Sequence, residues 1–137
     1  MKCLVVSDSA TMRRILENAV TLAGCDELVV CTDGRQAAEY TDASVAGIVT
    51  DWGLPGMTGL DLTRHIRSRP ECSNIRILMV TSRNARTDVE RAVEAGVDGY
   101  LLKPFTPDAL RLKVEALLRP MSAIEDEEAG EDEAKAA

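Results

Sequence analysis

Short apolar runs and helix-period stripes alternate along this chain from its first residues. Five runs read as strands: Lys2 to Val6, Glu27 to Cys31, Ala46 to Asp51, Ile75 to Thr81 and Asp98 to Leu102. Each is short, rich in Val, Ile or Leu, and bounded by turn residues, as a buried strand requires. Helical patterns fill the gaps. The first opens at Ser9 or a neighbour as N-cap, and Met12, Ile15, Leu16, Ala19, Val20 and Leu22 give an inward apolar stripe that ends at Gly24. The second spans Gly34 to Thr41. The third, Gly59 to Ser68, carries Leu60, Leu62 and Ile66 and stops before Pro70. The fourth runs from about Arg86 to Ala95 and ends at Gly96. In the fifth, Thr106 is the N-cap and Pro107 the first helical residue, with Leu110, Val114, Leu117 and Leu118 facing inward. Strands alternating with helices imply right-handed crossovers and a parallel sheet covered on both faces, so the pattern predicts an α/β domain of (βα)5 form.

Polar residues interrupt this pattern where strands should end. Asp8 follows the first strand, Asp51 closes the third, Thr81-Ser82 the fourth and Lys103-Pro104 the fifth. Strand ends of one polarity lie along one edge of a parallel sheet, the edge that forms ligand crevices, so Asp8, Asp51, Thr81 and Lys103 should converge there. Neighbouring carboxylates repel unless a cation sits between them, and oxygen ligands suit Mg²⁺. Lys103 adds a fixed positive charge and Thr81 a hydroxyl donor, so the crevice can hold a dianionic tetrahedral group such as phosphoryl. An Asp can itself accept that group as an aspartyl phosphate. Read singly, each residue has another role: Asp8 or Thr81 as a helix cap, Lys103 as a solvated Lys before a turn.

Composition narrows the class. With 137 residues, 45% of them apolar, one domain with one sizeable core is expected. No apolar run reaches the length of a membrane span and no signal-peptide pattern precedes the first strand, which predicts a cytoplasmic protein with no membrane partner. Cys3, Cys25, Cys31 and Cys72 lack metal-ligand or redox spacing and read as reduced thiols. The net charge of −7 is concentrated after residue 119. The segment 120–137 holds seven acids and one Lys, which leaves 16 acids against 15 bases in 1–119. The tail has no large apolar residue beyond Ile124 and is expected to be disordered. Its charge and the absence of a basic stripe argue against nucleic acid as a ligand.

Several segments together resemble the receiver domain of two-component response regulators, most closely its single-domain chemotaxis subgroup. They are Val6-Ser7-Asp8-Ser9, Thr11-Met12-Arg13-Arg14-Ile15, Asp51-Trp52-Gly53-Leu54-Pro55-Gly56-Met57-Thr58-Gly59-Leu60, Val80-Thr81-Ser82, Gly96-Val97-Asp98-Gly99-Tyr100 and Lys103-Pro104-Phe105. The resemblance covers residues 1–119. It implies a flavodoxin-like fold with strand order 2-1-3-4-5, and a regulatory phosphoacceptor rather than an enzyme. By it, Asp51 is the phosphoacceptor, served by a sensor histidine kinase or a small phosphodonor. Asp8, Asp51 and the Gly53 carbonyl would ligate Mg²⁺. Thr81 would bond the new phosphoryl group and Lys103 would pair with its oxygens, while Tyr100 reports the change as Thr81 moves. The altered face, formed by the fourth helix, fifth strand and fifth helix, would meet a protein target such as a flagellar motor switch, with Lys113 in the docking face; the protein would act as a monomer.

The chain departs from that family at Ser7, where receivers usually carry an acid that acts on the metal largely through water. The expectation is weaker Mg²⁺ binding, with Ser7 contributing through water only. Gly53 and Arg83, which flank the path of water to an acyl phosphate, offer no water-orienting carboxylate or amide and suggest slow self-dephosphorylation. His65, on the third helix, reads as a surface residue. Competing functions are a phosphate sink or relay intermediate, and an interaction module that ignores phosphorylation. An Asp-nucleophile phosphatase of another fold needs a second acid where Gly53 stands.

Overall fold

The computed structural model describes residues 1–119, and the acidic segment 120–137 lies outside the described residues. Five parallel strands form one sheet: β1 (Lys2–Val6), β2 (Glu27–Cys31), β3 (Val45–Asp51), β4 (Arg76–Thr81) and β5 (Gly99–Leu102). Their order is β2-β1-β3-β4-β5. The helices are α1 (Ala10–Leu22), α2 (Gly34–Tyr40), α3 (Gly59–Arg67), α4 (Arg86–Ala95) and α5 (Pro107–Leu118). This is the (βα)5 architecture expected from the alternating pattern, with the flavodoxin-like strand order that the resemblance implied.

Strand periodicity divides the core into two layers, because successive residues point to opposite faces. Cys3, Val5, Val49, Leu78, Val80 and Leu101 pack with α1 and α5 through Leu16, Val20, Leu110 and Val114. Leu4, Val6, Ile48 and Ile77 point the other way, onto Ala37 of α2 and Leu62 and Ile66 of α3. Leu4, Val6, Ile48 and Ile77 are fully buried, each contributing about 1.5–3 kcal/mol of transfer free energy. A third cluster joins Trp52, Leu60, Met79 and Ala92 between α3 and α4.

Ser9, Thr106 and Gly96 end their helices where the sequence puts them, and Thr58 is a further cap that the sequence analysis does not name. Ser9 accepts a hydrogen bond from Met12 N at 3.2 Å and starts α1. Thr58 and Thr106 accept from Asp61 N and Ala109 N to start α3 and α5. Gly96, at φ 113°, ends α4 in the left-handed conformation that a side chain disfavours. The differences have local causes. β5 begins at Gly99 rather than Asp98 because Asp98 acts as a clip: its carboxylate accepts from Ile77 N at 2.8 Å and from Arg67 at 2.9 Å. β4 begins at Arg76 rather than Ile75 because Ile75 N is taken by Cys72 O, at the end of a 3-10 turn over Pro70–Cys72. α1 does not turn its whole stripe inward. Ile15 is 41% exposed and Leu22 71% exposed, and both line a groove against Phe105, Pro107 and Leu110 rather than the sheet.

Gly59 sets how closely α3 approaches the end of β3. Its N–H donates to Trp52 O at 2.8 Å, and a Cβ there would lie 2.2 Å from Asp51 O and 3.0 Å from Trp52 Cα. Backbone cannot yield as a flexible side chain can. Gly59→Ala is therefore expected to lower stability by roughly 1–3 kcal/mol in urea denaturation, and to shift the amide signals of Asp51 and Trp52.

Candidate functional site

The C-terminal edge of the sheet collects side chains from four strand ends. Asp51 closes β3 and pairs with Val80 of β4 in register, while Trp52 N donates to Val80 O at 3.2 Å. Lys103 follows β5, and its N–H donates to Thr81 O at 2.8 Å, which ties its backbone to the β4 end. The Lys103–Pro104 peptide is cis. Ser7 follows β1 and donates its N–H to Cys31 O at 3.1 Å.

Asp51 is the centre of this cluster. Its side chain is only 5% exposed, and Lys103 Nζ lies 2.9 Å from Oδ1. That contact is an ion pair without hydrogen-bond alignment, so buried Oδ1 receives no hydrogen bond. Oδ1 is thus charge-paired with Lys103 while no hydrogen bond occupies its lone pairs. Oδ2 is held differently, by a hydrogen bond from the buried Ser7 hydroxyl. The Asp51 carbonyl is also fixed, because Thr50 Oγ1 donates to it at 2.9 Å.

Asp8 is exposed, and its carboxylate makes no hydrogen bond or ion pair among the described residues. Ser9, not Asp8, caps α1, so Asp8 keeps its acceptor oxygens available. Gly53 is exposed, with open space where a Cβ would stand. This donor set is all oxygen and includes two carboxylates, which suits Mg²⁺, an ion that keeps several waters and shares the rest of its shell with phosphate oxygens. No group of three or more His, Cys, Asp or Glu suited to a metal occurs among the described residues.

Thr81 is buried, and its hydroxyl oxygen accepts from Arg83 N at 3.1 Å. It does not cap α4, whose N-cap is Ala85 without a side-chain bond. Tyr100 is half-buried and donates to Arg83 O at 2.7 Å. Burial first, and the nearby charge of Asp88 second, push its phenol above the usual range, so it remains a protonated donor. Arg83 therefore links Thr81 to Tyr100 through the two ends of one residue. Lys113 is exposed on α5 and His65 is exposed on α3.

Several contacts at the site have no counterpart in the sequence analysis, although Arg83 itself appears there beside the water path. Arg13 Nη1 donates to Ser7 O at 2.9 Å and ties α1 to the end of β1. Arg83 and Arg91 place their guanidinium carbons 4.8 Å and 5.7 Å from the Trp52 ring centre, and Asp88 lies 3.6 Å from both. Thr50, one residue before Asp51, lies within the third strand run and holds the Asp51 carbonyl. Helix phase points Arg13 back over the β1 end, a usable signal; the Trp52 clamp depends on the path of the β4–α4 loop, which no spacing encodes. The four cysteines are buried and unpaired. Burial pushes the Cys31 thiol up to about 11 and the Cys3 thiol, beside Cys25, up to about 12, which leaves those two thiols unreactive.

The chain is similar to known proteins in sequence and in fold. The model of the response regulator receiver domain matches residues 3–115. The chain is 41% identical over 120 residues to the chemotaxis protein CheY1 of Helicobacter pylori, covering 86% of this chain and 97% of that one. It is 39% identical over 118 residues to CheY of Pseudomonas aeruginosa, covering 85% and 95%. The solved structure of the chemotaxis response regulator CheY4 of Vibrio cholerae superposes with a TM-score of 0.74 at 28% identity, covering 85% of this chain and 98% of that one. A buried strand-end carboxylate beside a lysine, on this strand order and with these relatives, places the chain in the response regulator receiver domain family, as a CheY-like member.

Proposed function

We propose that this chain is a chemotaxis-type response regulator that receives a phosphoryl group on Asp51, with Mg²⁺, from the phosphohistidine of a sensor histidine kinase. The observation that carries the reading is Asp51 Oδ1: buried, without a hydrogen bond, and 2.9 Å from the Lys103 ammonium. In the transfer, an oxygen lone pair of Asp51 forms the new O–P bond. The P–N bond to the donor imidazole breaks, and its electron pair leaves with the imidazole. Attack by one anion on another is disfavoured unless positive charge meets the phosphoryl oxygens. Lys103 supplies one such charge from its fixed place beside Oδ1. Asp8, Asp51 and the Gly53 carbonyl would hold Mg²⁺, which would supply further charge neutralisation for the transfer.

The output reading follows from the Thr81–Arg83–Tyr100 link. A Thr81 hydroxyl drawn to the phosphoryl group pulls on Arg83, and Tyr100 bonds the other end of that residue, so phosphorylation biases the loop between β4 and α4. On the adjoining elements Val93, Leu102 and Leu112 are 60%, 42% and 58% exposed, an apolar surface on α4, β5 and α5 suited to a protein target. Relatives named as chemotaxis proteins make a flagellar motor switch the target proposed here. No helix among the described residues is long and apolar enough to cross a membrane. We place this messenger in the cytoplasm, as a monomer that does not bind nucleic acid.

The test is Trp52 fluorescence during addition of acetyl phosphate. Trp52 is buried next to Asp51, so quenching that requires Mg²⁺ is expected, and a signal indifferent to both additions would favour an interaction module independent of phosphorylation. Thr81→Ala is expected to retain phosphoryl uptake within about tenfold, since it removes one hydrogen bond to the phosphoryl group. It should lose most of the phosphorylation-dependent gain in affinity for a flagellar switch peptide. Wild-type protein that gains no such affinity on phosphorylation would instead be a phosphate sink.

A further inference from the structure

We infer that Ser7 is a positioning residue for Asp51: its hydroxyl holds Oδ2 and thereby presents Oδ1 as the attacking oxygen. This rests on the reading of Asp51 as phosphoacceptor and replaces the resemblance's expectation that Ser7 acts on the metal through water.

The hydroxyl of Ser7 is fully buried and hydrogen-bonds Asp51 Oδ2 directly. A hydroxyl has one hydrogen to donate, and a carboxylate can only accept, so the Ser7 proton is committed to Asp51. The orientation is enforced from three sides. Ser9 N donates to Ser7 Oγ at 3.2 Å, which occupies an acceptor lone pair and steers the proton away from the α1 terminus. Ser7 N is bound to Cys31 O. Arg13 holds Ser7 O at 2.9 Å. A side chain locked by such partners fixes the group it touches far better than a solvated one.

The two oxygens of Asp51 are consequently unequal. Oδ2 is tethered by its hydrogen bond to a locked side chain. Oδ1 carries none and lies beside Lys103. The lone pair that forms the O–P bond comes from Oδ1, while the donor's P–N or acyl P–O bond breaks and its pair leaves with the donor. The proton of Ser7 stays on Ser7. An acid at this position could not do the same, because an ionised carboxylate has no proton to give and would repel Asp51.

Three variants test the assignment, with uptake from acetyl phosphate followed by Trp52 fluorescence across a Mg²⁺ titration, and the carboxyl carbon signal of Asp51 recorded by NMR without metal. Ser7→Ala leaves Oδ2 unheld. The uptake rate at saturating Mg²⁺ should fall on the order of tenfold, the worth of one hydrogen bond to a charged group. The Mg²⁺ concentration at half-saturation should stay unchanged, and the Asp51 carbon signal should move in the absence of metal. Ser7→Thr keeps the hydroxyl and should restore both rate and signal; Ser7→Cys, a weaker donor of similar size, should fall between. The opposite pattern overturns the proposal: an unchanged saturating rate with a shifted Mg²⁺ half-saturation, or an Asp51 signal that ignores Ser7→Ala. Failure of the underlying reading is distinct, since wild-type protein would then take up no phosphoryl group whatever residue stands at position 7.

Discussion

Asp51→Asn is expected to take up no phosphoryl group from acetyl phosphate or from a phosphorylated kinase, a fall of at least about 10³-fold in rate. The substitution keeps shape and removes the anion. An amide oxygen is a poor nucleophile, and the amide nitrogen cannot present a lone pair to phosphorus as Oδ1 does. Asp8 cannot take over, since it is exposed and is not the residue set beside Lys103. The fold should survive. The Ser7 hydroxyl can still donate to an amide oxygen, and a buried amide costs less to desolvate than a buried carboxylate. Urea denaturation should therefore show stability unchanged or raised by up to about 2 kcal/mol. Loss of uptake with loss of folding would point instead to a structural role for Asp51.

Lys103→Met is the complementary case. Met is close in length and apolar in reach, so the variant isolates the charge. Uptake should fall by about 10²–10³-fold at saturating Mg²⁺, the usual cost of removing one group that stabilises transition-state charge. Stability should also drop, because Asp51 is left as a buried charge without a partner. Breaking a fully buried pair costs roughly 3–5 kcal/mol. The Lys103 side chain is 31% exposed, so solvent screening reduces the expected loss to about 1–3 kcal/mol. Combining Lys103→Met with Asp51→Asn should recover most of that loss, since no buried carboxylate remains. Equal, additive effects in the double-mutant cycle would show that the two side chains do not interact as their distance implies.

Much of the fold was legible because its signals are local. Alternating strand runs and helix stripes, with Ser9, Thr106 and Gly96 at helix ends, specify the elements, and alternation itself specifies a parallel sheet. Positions at the C-terminal edge followed from the same rule, which is why Asp51, Lys103 and Thr81 could be grouped without any contact being known. What the sequence did not disclose depends on direction rather than position. Ser7, expected to act on a metal through water, also turns its hydroxyl onto Asp51 Oδ2 under the constraint of Ser9 N and Arg13. Ile15 and Leu22 belong to the apolar stripe of α1, yet they face the α1–α5 groove, because helix periodicity cannot distinguish a sheet from a neighbouring helix as the partner. Asp98 looked like a strand residue until its carboxylate was found on Ile77 N.

In the proposed function, the roles of the site residues converge on one event, the appearance of a single phosphoryl group on Asp51. The most direct measurement is intact mass of the wild-type chain after incubation with acetyl phosphate and Mg²⁺, followed by fragmentation to locate the group. The account predicts one added phosphoryl group, dependent on Mg²⁺ and carried by the peptide that contains Asp51. No mass gain at saturating Mg²⁺, or a phosphoryl group carried by any other residue, would contradict it.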